Sequence, residues 1–386
     1  MPMLERPLVV VGDVHFSHGG RPDTGKALAR LVEANAGAEV VLNGDVWNLS
    51  LDAPARDPHE SLLGMLAPEI ELRDALRRHL RGQGRLAILP GNHDAAVAMG
   101  GLRDRLLAWL ELSTEAALTL PAWFLRHGTV HVEHGHAYDP DNAPTHPLVV
   151  PTLDTEPLGV ALTRRFLAPN EAFDFAHATE ITPVEALQRA WRAYGFRMPL
   201  VLANYLGTAG HFCREAGWRP AVAREQERGD ALLASFLPEL GLERDVLQRL
   251  LDDRPRPTHE SFERSFFRLY FDRLIATVST AGGVGVGIAL RSTGALGLAL
   301  LSGLYLLESK RRGTNRYEGL PVKRLREAAG HVQSITGAKT VIFGHTHVPD
   351  TKDGYLNPGS FTYRPGDARP YAYVDVQGNG ERRLLE

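Results

Sequence analysis

Aspartate, asparagine and histidine recur in five short clusters along this 386-residue chain: Gly12-Asp13-Val14-His15, Gly44-Asp45, Gly91-Asn92-His93-Asp94, His134-Gly135-His136 and Gly344-His345-Thr346-His347. Carboxylate, amide oxygen and imidazole are the donors that divalent cations such as Mn²⁺, Fe²⁺, Zn²⁺ or Co²⁺ take. One aspartate can give an oxygen to each of two ions. Two ions about 3.5–4 Å apart clamp the attacking and leaving oxygens of an in-line displacement at phosphorus, and they lower the pKa of a bound water. Glycine beside these donors lets the backbone turn sharply and leaves room for an ion. A lone Gly-Asp pair or a single histidine is ordinarily a turn or a satisfied core residue. Five such clusters, each after an apolar run, point to a metal site.

Those runs are Leu8–Val11, Val40–Asn43, Ala87–Leu89, Val130–Glu133 and Val341–Phe343. They read as buried strands. The flanking pattern predicts strands at Pro7–Val11, Glu39–Leu42, Arg85–Leu89, Thr129–Glu133 and Lys339–Phe343. It predicts helices over Thr24–Glu33, Ser61–Arg81, Leu102–Leu112 and Val322–Thr336. Short closing strands are expected at Gly354–Leu356, Ser360–Tyr363 and Tyr371–Val376. Repeated βα units place ligands at the carboxyl ends of the strands, so the five clusters should meet at one edge.

The clusters match, in order, the motifs D-x-H, G-D, G-N-H-D/E, H and G-H-x-H, and on these residues the chain resembles the calcineurin-like metallophosphoesterases. The resemblance implies an α/β fold, a four-layer α/β/β/α sandwich. It implies a hydrolase of phosphate mono- or diesters that uses water activated between two divalent ions, manganese foremost, with Fe²⁺, Zn²⁺ or Co²⁺ as the others. Carried over by position, Asp13, His15 and His347 would hold one ion, Asn92, His134 and His345 the other, and Asp45 would bridge them. Asn92 would also neutralise charge on the phosphoryl oxygens. His93 would assist the leaving oxygen and Asp94 would orient His93. His136 is expected beside the ligands, His131 is expected to be structural, and His127 is given no role. His18 is a candidate to face the substrate. Gly44-Asp45 is followed by Val46-Trp47-Asn48, without the Asp-Arg-Gly of the protein serine/threonine phosphatases, which argues against that branch. The tail Gly344–Pro349 with Asn357-Pro358-Gly359-Ser360 resembles bacterial branches, among them small phosphodiesterases and UDP-diacylglucosamine pyrophosphohydrolases.

Between the fourth and fifth clusters the style changes. Residues 141–317 read as a mainly helical insertion, with helices such as Val184–Tyr194, Ala231–Leu240 and Glu260–Ala276. The core would comprise residues 1–140 and 318–386. Within the insertion, Leu274–Leu307 carries a single charge, Arg291, and a run of glycines. That run lacks the spacing of a phosphate-binding loop. Each half is marginal against the ~20 apolar residues of a spanning helix. Three readings stay open: a buried hairpin, a shallow membrane contact through 274–312, and a transmembrane hairpin. Lys310-Arg311-Arg312 and Arg316 follow and would suit anionic headgroups.

Composition bounds the rest. A net charge of −3 gives no global field for nucleic acid, and the lone Cys213 excludes a disulfide framework and a cysteine zinc site. The first residues carry no export signal, so the cytoplasm is the expected compartment, with the cytoplasmic membrane face as an option. The expected partner is a small-molecule or lipid-linked phosphate ester. Two alternatives to the simple esterase remain: a pyrophosphohydrolase or phosphatase on a lipid-linked substrate, and an inactive scaffold on the same fold.

Overall fold

The computed structural model describes residues 4–18, 23–51, 57–170, 183–217, 220–240, 242–311, 320–362 and 368–385. In chain order the elements are β1 (Leu8–Val11), α1 (Thr24–Ala34), β2 (Glu39–Asn43), α2 (Pro58–Leu66), α3 (Ile70–Arg81), β3 (Arg85–Leu89), α4 (Leu102–Trp109), β4 (Leu118–Thr119), β5 (Phe124–His127), β6 (Val130–Glu133) and α5 (Leu158–Leu162). There follow α6 (Pro183–Tyr194), α7 (Met198–Glu215), α8 (Pro220–Leu240), α9 (Arg244–Asp253), α10 (Phe262–Arg268), α11 (Phe271–Ala289), α12 (Thr293–Arg311), α13 (Leu320–Thr336), β7 (Thr340–Ile342), β8 (Asp350–Lys352), β9 (Tyr355–Asn357), β10 (Arg369–Val374) and β11 (Gly380–Leu385). The chain forms two compact units: Met1–Glu171 with Arg219–Pro257 and Pro321–Glu386, and Ala172–Trp218 with Thr258–Leu320.

The first unit is an α/β sandwich. One sheet has the order β11-β10-β1-β2-β3-β4, the other β5-β6-β7-β9-β8. β1, β2, β3 and β4 run parallel, as do β6, β7 and β9. Alternation along β1 shows how the layers form. Leu8 and Val10 join Val41, Ala87, Val130, Val132 and Ile342 in an apolar layer shared by the two sheets. Val9 and Val11 face the other way, into a cluster with Leu28, Leu31, Leu62, Leu72 and Leu76 of the helices on that side. The far face of the second sheet is covered by Leu325, Ala329 and Val332 of α13 with Leu233, Leu247 and Leu250. The layers therefore run helix, sheet, sheet, helix.

Several expectations change. The single helix over Ser61–Arg81 is two, α2 and α3, separated at Pro68, which lacks the N–H a continuing helix needs. The helix over Glu260–Ala276 breaks at Tyr270, whose φ is 62°. Ser360–Thr362 form no strand, because their polar groups brace the loop after β1; Tyr363 lies outside the described residues. Residues 141–317 are not one inserted body. The loop from 141 to α5, and α8 and α9, belong to the first unit, since their leucines complete the cover of the second sheet.

The second unit is helical, with α6, α7, α10, α11 and α12. The glycine-rich stretch folds as the hairpin α11–α12. A Cβ at Gly283 would lie 2.7 Å from the Ala295 carbonyl oxygen, and one at Gly287 would lie 2.5 Å from the Leu296 side chain. Small residues thus let the two helices close on each other. The hairpin is not buried: of α11, only Ala276, Gly283 and Gly287 are. Among the described residues no helix is long and apolar enough to cross a membrane, so the transmembrane reading is set aside. Arg312 and Arg316 lie outside the described residues.

His146 locks α8 to the first unit. It is fully buried, its Nδ1 accepts the Leu148 N–H at 3.2 Å, and its ring fills the space over Gly229 of α8. Burial, aided by Arg254, holds the imidazole down at about 4. The unfolded chain, with histidine near 6.5, binds the proton more readily, so stability rises with pH across that window. Chemical denaturation is expected to show a loss of about 2 kcal/mol between pH 6.5 and 4 that His146→Gln removes.

Candidate metal centre

The five clusters meet at the carboxyl ends of neighbouring parallel strands. Asp13, Asp45 and Asn92 follow β1, β2 and β3 of the first sheet, and His134 and His345 follow β6 and β7 of the second. Asn43, the last residue of β2, joins the sheets. Its Nδ2 donates to the Glu133 carbonyl at 3.0 Å, and its own carbonyl accepts from Nδ1 of His134 at 2.9 Å. Asp13, His15, Asp45, His345 and His347 all have φ between 49 and 69°. Such left-handed conformations cost non-glycine residues roughly 1–3 kcal/mol each and concentrate at functional sites. Two glycines are sterically required. A Cβ on Gly91 would lie 2.2 Å from Oδ1 of Asp45; one on Gly44, where φ is +71°, would lie 2.5 Å from the His134 ring.

The donors fall into two groups, Asp13 with His15 and His347, and Asp45 with His134 and His345. In the first, Nε2 of His347 lies 3.2 Å from Oδ1 of Asp13, and the Nε2 atoms of His15 and His347 face each other at 3.0 Å. In the second, Oδ2 of Asp45 lies 3.4 Å from Nε2 of His134 and 4.0 Å from Nε2 of His15, so one carboxylate touches both groups. Oδ1 of Asn92 lies 3.0 Å from Nδ1 of His345.

These residues fit divalent cations on three observations. Nε2 of His134 is buried and faces only the Asp45 carboxylate, 3.4 Å away and out of hydrogen-bond alignment, while Nδ1 bonds a backbone carbonyl; that is how metal-ligating imidazoles are oriented. The facing His15 and His347 nitrogens set lone pairs against each other unless a cation or a proton lies between them. The buried carboxylates also demand positive charge. Burial pushes Asp45 up, but His134, His93 and His15 outweigh it and hold its carboxyl well below the usual range. Burial pushes His134 down, yet Asp45 and Asp13 raise it to about 10. Burial and His347 press His15 well below its usual value, leaving it a neutral donor.

His93 is oriented differently from the expectation. The Asp94 carboxylate does not reach it: it accepts N–H bonds from Gly91 at 2.6 Å, Val46 at 2.7 Å, and Asp45 and Trp47 at 3.2 Å. Four backbone donors consume its lone pairs, so Asp94 fixes the loop that carries Asp45. Burial and the neighbouring Asp45 still push Asp94 up to about 7. Nδ1 of His93 instead meets the Ser50 hydroxyl at 2.6 Å, and that hydroxyl donates to Oδ1 of Asn48 at 2.6 Å. A hydroxyl has one proton, so Ser50 must accept from Nδ1–H of His93.

Of the remaining histidines, His136 lies beside the site, its ring 5.3 Å from that of His134. His131 contacts Glu133 at 3.2 Å, His127 contacts Glu39 at 3.1 Å, and His18 packs against Gly64 of α2. Sequence reasoning missed Asp139. Its Oδ2 takes Nε2 of His345 at 3.0 Å and the Asn142 amide at 2.8 Å, and Asn142 in turn holds Nδ2 of Asn92 at 3.3 Å. The only local sign was a second polar cluster, Asp139-Pro140-Asp141-Asn142, five residues after His134. The turn after β9 braces the site from below: Asn357 donates to the Gly344 carbonyl at 2.7 Å, and Ser360 donates to the Asp13 carbonyl at 2.9 Å. A shallow, solvent-open depression begins at Gly91 and Asn92 and runs over Trp123, His136, Pro147 and Val149.

The family model of the calcineurin-like phosphoesterases matches residues 6–178, and the chain carries a domain of that family, whose chemistry is metal-dependent hydrolysis of phosphoesters. No curated protein matched the chain. His345 and His347 lie beyond the matched span, and the fold returns them to the same edge.

Asp139→Ala should weaken metal binding, titrated calorimetrically, by ~10–100-fold, with Asp139→Asn recovering part of the loss.

Proposed function

We propose that the protein hydrolyses a phosphate mono- or diester with two divalent cations, manganese foremost. Asp13, His15 and His347 hold one ion, Asn92, His134 and His345 the other, and Asp45 is shared. The observation that carries this reading is the Asp45 carboxylate set between imidazoles of both donor groups. When bound, the ions supply Lewis acidity and a water of lowered pKa. The chain's own residues do the rest. Asn142 holds the Asn92 amide so that its Oδ1 turns toward His345. Ser50 keeps a proton on Nδ1 of His93, so the proton for the leaving oxygen travels on Nε2. The apolar depression beside Asn92 suits the organic part of an ester.

The intact donor set speaks against an inactive scaffold. A second reading, a pyrophosphohydrolase or phosphatase on a lipid-linked substrate at the cytoplasmic membrane face, draws on the exposed apolar surface of the second unit.

Asp45→Asn is expected to abolish metal binding and hydrolysis of p-nitrophenyl phosphate and its bis ester together; full activity in metal-free Asp45→Asn protein would sink the mechanism. Ser50→Ala should lower kcat on an alkyl phosphate, a poor leaving group, about tenfold or more, and leave p-nitrophenyl phosphate nearly unaffected. Equal losses on both substrates would remove His93 from the leaving-group step.

A further inference from the structure

Apart from Ile70, Met99, Leu153, Val376 and Leu384, every exposed large hydrophobic residue among those described lies in the second unit. Most belong to the α11–α12 hairpin, where Ile288 is 70%, Leu290 74% and Leu301 68% exposed. At 100° per residue, Leu296, Leu298, Leu300, Leu301, Leu304 and Leu307 spread over roughly 200° of α12. The remaining arc carries Ala299, buried against Gly283 of α11. On α11 the exposed Ile275, Val278, Val284, Val286 and Ile288 are scattered as widely. Neither helix has a polar stripe.

We infer that this unit binds a lipid bilayer, with the hairpin entering the interfacial layer without crossing it. A folded protein partner covers one face of a helix pair and leaves the others to water; the boundary between acyl chains and headgroups takes up apolar side chains over a wider arc of a shallowly inserted pair. Charge placement agrees. Leu274–Leu290 and Ser292–Leu307 contain no charged residue, whereas Asp272 and Arg273, and Glu308, Lys310 and Arg311, stand at one end of the hairpin and Arg291 at the other. Each arm is about 25 Å long, short of the ~30 Å hydrocarbon core. A hairpin lying along the interface keeps both charged ends among headgroups. A second, independent feature is the region around α6, where exposed Arg189, Arg192 and Arg197 interleave with Trp191 and Phe196. Phe196 is 97% exposed and meets Trp191 edge to face at 6.2 Å. Aromatics beside arginines suit the headgroup layer of an anionic membrane.

The inference does not depend on the phosphoesterase reading, and its test does not use turnover. Full-length protein is floated on a density gradient with phosphatidylcholine vesicles and with mixed phosphatidylcholine–phosphatidylglycerol vesicles. The expected result is flotation, stronger with the mixed vesicles. It should fall by ~tenfold or more in the double variant Ile288→Asp/Leu301→Asp and fall in Trp191→Ala/Phe196→Ala. Both pairs are solvent-facing, so an unchanged melting temperature checks that the variants fold. No flotation with either vesicle, or flotation indifferent to Ile288→Asp/Leu301→Asp, would overturn the inference. So would a vesicle-free dimer, seen by light scattering, that Ile288→Asp/Leu301→Asp dissociates, since a second copy would then cover the hairpin.

Discussion

A carboxylate buried between imidazoles needs a positive charge, and Asp45 is that carboxylate. It is 1% exposed, and its two oxygens reach three elements: Oδ1 accepts the His93 N–H at 2.8 Å, while Oδ2 faces His134 and His15. Burial pushes His134 down, yet the Asp45 and Asp13 carboxylates raise it to about 10, so the donors favour positive charge at this point. The desolvation cost of these carboxylates is large enough that the architecture around them must keep their partners in place.

Backbone groups do much of that work. Asp94 gathers four N–H groups of the Gly91 and Asp45 loops, Asn43 ties the ends of β2 and β6, and Ser360 and Asn357 hold the loops after β1 and β7. Left-handed backbone at five donor residues is tolerated because neighbouring strands over-determine each loop. The glycines at 44 and 91 leave the volume that the His134 ring and the Asp45 carboxylate occupy. The donors are therefore pre-set by strand register, and the orienting contacts from Asp139 and Ser50 tune only which ring nitrogen is presented.

The long segment between the fourth and fifth clusters divides its labour. α8 and α9 complete the helical layer over the second sheet, so part of what reads as an insertion is required by the core. The remainder builds a unit that carries most of the exposed large hydrophobic side chains among the described residues, and its hairpin joins two helices by glycine contact where larger side chains would hold them apart.

The strands before each cluster were legible because short apolar runs ending in glycine leave few alternatives, and β3 falls at the expected residues, Arg85–Leu89. The donor types were equally legible, since each motif is local. β4, β5, β8 and β11 escaped notice: β4 is only two residues long, and β11 reads Gly-Glu-Arg-Arg-Leu-Leu on an exposed edge, where no inward stripe is needed. What the sequence alone determined was the set of metal-binding chemistries and the strands that carry them. Tertiary structure decided the pairings: Asp94 with backbone in place of His93, His93 with Ser50, His345 with Asp139, and α8 and α9 with the core. The site contacts join residues that local periodicity leaves unrelated, 206 positions apart for His345 and Asp139, and the parallel pairing of distant strands, β2 with β3 and β6 with β7, brings the loops that follow them together.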